Sequence, residues 1–286
     1  MNGTALIAGI DLGATKCLVV WLSPAGDVVR EERFPSPSDP ASLVEKLHAL
    51  FQETPPVLAG VGIPGFIDKG RTQIIRCPNL PGYADFPLAS ALEGRTGVPV
   101  RLENDANAAA LAEARLGAGV GWMDQVYLSL GSGVGGGFIA NGALVRGEGF
   151  AGEVGHLTID PRGPACGCGR RGCWELYASG RALAALGGAQ RGEQVHEALL
   201  AGEPWAEGVL AAYADRVAEG LADVVLMAAP GLVVLGGGVA RIGAPLAERV
   251  GRSLALRLPS YLSTPGVIPA ALGGAAGAIG AALSAR

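Results

Sequence analysis

Apolar and β-branched residues run through Ala5 to Ile10, Cys17 to Leu22 and Val28 to Phe34, broken by the turn DLGAT and by Ser23-Pro24-Ala25-Gly26-Asp27. Short apolar runs bounded by turn residues predict three consecutive strands in an antiparallel meander. From Pro40 to Glu53 the period changes: Leu43, Leu47 and Leu50 recur at helical spacing, with Asp39 placed to cap the first turn. Val57 to Ile63 reads as the next strand and ends in the loop Pro64 to Asp68. A strand over Val98 to Leu102 then leads into a helix from about Asp105 to Leu116. This alternation predicts an α/β class.

Gly117 to Gly121 reads as a linker, and beyond it the opening pattern recurs. Gln125 to Leu130 is a strand, Gly131 to Gly137 a glycine loop, Gly137 to Ala140 a strand, and Asn141-Gly142 a hairpin turn. Strand, glycine loop and strand therefore occur twice, although the two loops share little letter for letter. Helices follow near Trp174 to Leu186 and Ala206 to Met227, then a strand from Leu232 to Leu235, the loop Gly236 to Gly238 and another helix. A last helix, about Gly274 to Ala285, is lined with Gly and Ala, which suits close packing against a neighbouring backbone or a flat ligand. The expected division is 1–116, joined by the helix 274–286, and 117–273.

Composition narrows the function classes. With 286 residues and 49% hydrophobic content the chain can bury a substantial core. Its net charge of −4 favours neither nucleic acid nor an anionic membrane as partner. The uncharged stretch Leu258 to Ala285 would suggest a membrane span, but Pro259, Pro265 and Pro269 break it into short pieces that read as buried segments of a soluble fold. No basic n-region precedes the first apolar run, so the expected location is the cytoplasm.

The densest candidate chemistry lies in EVGHLTIDPRGPACGCGRRGCWE, from Glu153 to Glu175. Cys166, Cys168 and Cys173, with His156 upstream, supply three thiolates and one imidazole for a tetrahedral zinc site. The Gly-rich loop between them needs such a tie to hold one shape, so the metal reads as structural. Inert buried thiols, or a disulfide in an oxidising compartment, are the alternatives, and close spacing with a His favours metal. Cys17 and Cys77 fall outside this cluster and read as small buried hydrophobes. A His nitrogen bound to zinc leaves the other for a hydrogen-bond partner, and Glu153 is near in the chain. Glu153 and Glu175 read either as surface carboxylates or as walls of a pocket for a polyhydroxylated ligand.

Three glycine turns follow strands. Asp11-Leu12-Gly13-Ala14-Thr15-Lys16 can offer backbone N–H groups to phosphate while Asp11 holds hydrated Mg2+, though such turns are also common hairpin chemistry. Gly131 to Gly137 has five glycines in seven residues and allows a close anion approach. Gly236 to Gly238 could border a nucleotide or be a plain turn. In Glu103-Asn104-Asp105-Ala106-Asn107, one residue caps a helix while another, at a strand's C-terminal end, stands where a general base would sit.

Together these residues resemble the ROK family of sugar kinases, within the actin-like ATPase superfamily. The likeness covers nearly the whole chain and rests on DLGATK at 11–16, ENDANAAALAE at 103–113, LGSGVGGG at 130–137, EVGH at 153–156, CGCGRRGCWE at 166–175 and LGGGV at 235–239. It implies a two-domain, ribonuclease H-like fold with ATP and sugar in a cleft between the domains. By position, Asp105 would take the proton from the sugar hydroxyl as it attacks the γ-phosphate of ATP. Asn104, Glu153, His156 and Glu175 would hold sugar hydroxyls, with Gly65 and Asn79 lining the pocket. Asp11 would place Mg2+, while Gly13, Thr15, Lys16, Gly131, Ser132, Gly133 and Gly135 would surround the phosphates, and Gly237 and Gly238 the rest of the nucleotide.

Ser132 stands where the family usually has Thr and keeps the hydroxyl, and Gly273 to Ala276 is blander than the family's pattern. The resemblance further implies a homodimer or homotetramer. The helix-turn-helix of the family's repressors has no room before a first strand that starts near residue 5. The leading expectation is a cytoplasmic glucokinase making sugar 6-phosphate. Kinases for another hexose or an N-acetylhexosamine, use of polyphosphate, a non-catalytic sugar sensor, and a zinc loop serving oligomer contact all stay open.

Overall fold

The computed structural model describes residues 5–286, and the chain divides into two compact units. The first runs to Leu116 and takes in Leu144–Ala151 and Gly274–Arg286. Its strands are β1 (Ile7–Leu12), β2 (Lys16–Leu22), β3 (Val28–Pro35), β4 (Leu58–Ile63), the short β5 (Phe66–Ile67) and β6 (Ile74–Arg76), and β7 (Val100–Asn104). Helices α1 (Pro40–Glu53), α2 (Leu88–Thr96) and α3 (Asp105–Leu116) accompany them. The main sheet has the order β3-β2-β1-β4-β7, antiparallel through the opening meander and parallel from β1 to β4 to β7.

The expected cap is present: the Asp39 side chain accepts from Ser42 N at 2.8 Å, and α1 buries Leu43, Leu47, Leu50 and Phe51. These meet Trp21 of β2, which is fully buried, lies edge-on to Phe51 and donates Nε1–H to Thr54 O at 2.9 Å. Burying one such aromatic is worth about 2–3 kcal/mol.

The second unit comprises Gly117–Ala143 and Gly152–Gly273. Its sheet order, β10-β9-β8-β11-β12, repeats the first in pattern. The strands are β8 (Gln125–Leu130), β9 (Val134–Ala140), β11 (Leu232–Gly236) and β12 (Gly266–Pro269), with β10 (Ala143–Val145) running from Ala143 into the segment counted with the first unit. Here β8–β9 is antiparallel, while β8–β11 and β11–β12 are parallel. The recurrence expected from the two glycine loops is therefore a recurrence of topology. The helices are α4 (Glu175–Ala178), α5 (Gly180–Leu186), α6 (Gly192–Leu200), α7 (Pro204–Ala228) and α8 (Ala244–Ala255). α7 buries Leu210, Tyr213, Val217, Leu221 and Val224 in this core.

The final helix, α9 (Ala276–Ser284), belongs to the first unit and packs on a neighbour, the first of the two roles its composition allowed. A Cβ on Gly60 of β4 would lie 1.8 Å from Ala281 O, and one on Gly280 would lie 1.6 Å from Ala108 O of α3. Only glycine lets these backbones meet. Among the described residues no helix is long and apolar enough to cross a membrane.

Some expected elements differ. The helix read over Trp174 to Leu186 is two, because Ser179 is extended (φ −83°, ψ 170°) and caps α5 through its hydroxyl. The second strand of the later repeat begins at Val134, so Gly135 to Gly137 lie within β9, and the turn proper is Gly131 to Gly133.

Candidate functional site

In the first unit the β1–β2 turn is tight. Gly13 N donates to Lys16 O at 3.0 Å, and Ser36 braces the turn by donating from Oγ to Gly13 O at 2.6 Å and from N to Thr15 O at 3.2 Å. Thr15 and Lys16 are exposed beside it. Asp11, near the end of β1, faces α9 so closely that a Cβ on Gly277 would meet its carboxylate at 2.8 Å.

The β7–α3 junction carries the candidate base. Asn104 caps α3, its Oδ1 accepting from Ala106 N (3.0 Å) and Asn107 N (3.1 Å), while its Nδ2 donates to Gly65 O at 3.3 Å. The capping role therefore falls to Asn104, and Asp105 remains available for chemistry. Asp105 Oδ1 also accepts from Ala106 N at 2.9 Å. Gly65 stands where a Cβ would lie 2.4 Å from Arg76 O, so the β4–β5 turn approaches the end of β6 this closely only as glycine. Asn79 is exposed in the turn closed by Leu80 N on Cys77 O at 3.1 Å. Cys17 and Cys77 are buried and free, as expected of small hydrophobes.

Electrostatics single out two carboxyls. Burial first, then the charge of Asp105, pushes Asp11 up to about 7. Burial also raises Asp105 above the ordinary aspartate range, opposed by the Ala106 N–H. Both residues are half-buried, and the desolvation of their carboxyls favours the neutral form. Asp11, a carboxyl beside the glycine turn at the end of β1, is the hard oxygen donor that a hydrated Mg2+ takes, so its chemistry fits that ion.

In the second unit the Gly131–Gly133 turn is held by the start of α5. Gly180 N donates to Gly131 O at 2.7 Å and Arg181 Nε to Ser132 O at 3.3 Å. Gly237, at φ +85°, lies against this turn's entrance, where a Cβ would meet Leu130 O at 2.5 Å, and Gly238 follows it. Gly237 and the Gly131–Gly133 turn are therefore neighbours at the ends of β11 and β8. Gly135 is not part of that turn, being paired with Ser129 inside the sheet.

His156, Cys166, Cys168 and Cys173 converge, with one ligand atom from each all within 4.8 Å of one another. The Cys168 and Cys173 sulfurs are 3.5 Å apart, and Cys166 Sγ is 3.8 Å from His156 Nδ1. Tetrahedral zinc with Zn–S bonds of about 2.3 Å puts its donors roughly 3.8 Å apart, so the set fits zinc. The loop has a frame of its own: Cys166 N donates to Arg170 O (2.8 Å), Gly172 N to Pro164 O (2.8 Å) and Trp174 N to Leu157 O (2.8 Å). Burial pushes the Cys166 thiol up to about 12 and raises Cys173. Burial also works to raise Cys168, but the Arg170 N–H and neighbouring thiols outweigh it and leave this group low.

Glu175 joins the two features of this unit. Its Oε1 accepts from Cys166 Sγ at 3.1 Å and lies 3.7 Å from His156 Nδ1, and a Cβ on Gly133 would meet its Oε2 at 2.9 Å. Glu153 opens the single turn Val154–His156, accepting from His156 N through its backbone oxygen at 3.1 Å. Nearness in the chain pointed to Glu153 beside the imidazole, and Glu175 is a carboxylate beside Nδ1. Sequence reasoning named neither Ser36 nor Arg181, since a brace on a distant turn has no local signal.

Residues 7–286 match the ROK family. A glucokinase of Streptomyces coelicolor is 33% identical over 310 aligned positions, covering 98% of each chain. The ROK family glucokinase from Streptomyces griseus, solved in complex with glucose and AMPPNP, is 34% identical over 98% of this chain and 99% of its own, with a TM-score of 0.87. The ROK hexokinase from Thermus thermophilus is 39% identical over 98% and 97%, with a TM-score of 0.84. The fold is that of the actin-like ATPases, and the chain belongs to the ROK family.

Proposed function

We propose that this protein is an ATP-dependent hexose kinase that phosphorylates the 6-hydroxyl of its sugar, with glucose as its principal substrate. The observation that carries the reading is Asp105, a deep-set carboxyl of raised proton affinity at a strand–helix junction whose capping duty is met by Asn104. As O6 bonds to the γ-phosphorus, Asp105 accepts the hydroxyl proton, and the bond from that phosphorus to the bridging oxygen breaks with its electron pair leaving on ADP. Positioning and charge neutralisation supply most of the acceleration.

In this reading Asn104, Gly65, Asn79, Glu153, His156 and Glu175 hold the sugar. Gly13, Thr15, Lys16 and the Gly131–Gly133 turn surround the phosphates, with Gly237 and Gly238 along the nucleotide. Mg2+ held through Asp11 supplies neutralisation of phosphate charge. Zinc on His156, Cys166, Cys168 and Cys173 fixes the loop between Glu153 and Glu175. We place the protein in the cytoplasm, in carbohydrate metabolism at the entry to glycolysis, as a homodimer or homotetramer.

Asp105→Ala tests the assignment. General-base loss costs about 10²–10⁴ in turnover, while calorimetry should still record glucose binding. Turnover within tenfold of the unaltered protein would count against Asp105 as base.

A further inference from the structure

Glu103 is 1% exposed, yet it is a carboxylate one residue before the Asn104–Asp105 pair. A buried charge is costly unless paired, and here two guanidiniums pair it: Arg146 Nε at 2.8 Å and Arg71 Nη2 at 3.4 Å. Arg71 is itself fixed, donating to Leu102 O at 2.9 Å and to Ser284 O at 2.8 Å. Arg146 comes from Leu144–Ala151, the segment that rejoins the first unit. The other carboxylate oxygen, Oε1, accepts from the backbone N–H of Asn104 at 3.2 Å.

A chain of contacts thus runs from Arg146 through Glu103 to the Asn104 peptide. The Asn104 side chain then continues it into the first turn of α3 and onto Gly65 O. We infer that Glu103, clamped by Arg146, is the positioning residue that sets the Asn104 peptide and so aims Asp105 at the sugar hydroxyl. This rests on the kinase reading for its kinetic consequence, though not for its structural one. Arg71 keeps its bonds to Leu102 O and Ser284 O without Glu103, so a Glu103–Arg146 pair that served stability alone would be replaceable by apolar residues, such replacements in protein interiors being often neutral or stabilising. A positioning pair would not be replaceable, because small displacements of reacting groups are costly in rate.

The test is the double variant Glu103→Leu/Arg146→Met, read by melting temperature, by kcat and KM, and by hydrogen exchange across 104–108. The expected result is a folded protein with kcat lowered about tenfold or more and KM for ATP within about twofold. Backbone exchange at Asn104 should be accelerated about tenfold or more. Unchanged kcat in a folded double variant overturns the proposal. Should that variant not fold, Arg146→Lys and Arg146→Gln replace it: retention of kcat by Lys with loss by Gln supports the clamp, and equal kcat overturns it. If the unaltered protein turns over no sugar, the kinase reading fails, and the exchange rates alone decide: acceleration at Asn104 upholds the clamp, and unchanged exchange overturns it.

Discussion

Replacing Asp11 by Asn should change how the first unit's stability depends on pH. The Asp11 carboxyl is raised from 3.8 to about 7 by burial and by Asp105. A carboxyl with a raised folded-state value binds its proton more tightly in the fold than in the unfolded chain. Its stabilising contribution is whole below about pH 4 and is lost as pH rises through about 7. The rise from 3.8 to about 7 amounts to roughly 4 kcal/mol once the group is fully ionised, an upper value because the residue is only half-buried. Between pH 5 and pH 8 the share lost is roughly 2–3 kcal/mol, or about 5–10 °C in melting temperature. Differential scanning calorimetry without added Mg2+ should record that fall, and Asp11→Asn should remove at least half of it. Added Mg2+ should restore stability to the unaltered protein at pH 8 and do little for the variant. A flat profile for the unaltered protein between pH 5 and 8, or parallel profiles for both, would refute the carboxylate-pair reasoning.

Gly280→Ala should destabilise the first unit by about 3 kcal/mol or more, because its Cβ would overlap Ala108 O; chemical denaturation measures this, and a change below about 1 kcal/mol would mean that α9 shifts freely. Removing zinc should accelerate hydrogen exchange across residues 156–173 and abolish sugar turnover, with both restored by added Zn2+. Full activity in zinc-free protein would remove the metal from the account.

What was legible in the sequence follows from periodicity. β1 to β4, α1 and α3 were readable because their apolar positions recur over several residues between Gly and Pro signals. α2 was not, since only Leu88, Ala89 and Leu92 are buried in it and Gly94 interrupts its last turns. Strands of two or three residues, β5 and β6, are too short to show a period. The break at Ser179 hides inside continuing Ala and Leu, because one extended residue leaves the pattern on either side intact. At the site, the metal cluster was legible because its ligands crowd one loop. The choice between Asn104 and Asp105 as cap needed the side-chain geometry. The Arg146–Glu103 pair, 43 residues apart, was invisible because nothing local links a surface-looking VRGEG to a strand end.

The measurement that bears most directly on the central claim is ADP release by zinc-loaded protein with Mg-ATP, across a panel of hexoses and N-acetylhexosamines. Release fastest with glucose, with glucose 6-phosphate as product, is the expected result. A folded, zinc-bound protein that releases no ADP above the sugar-free background with any sugar would contradict it.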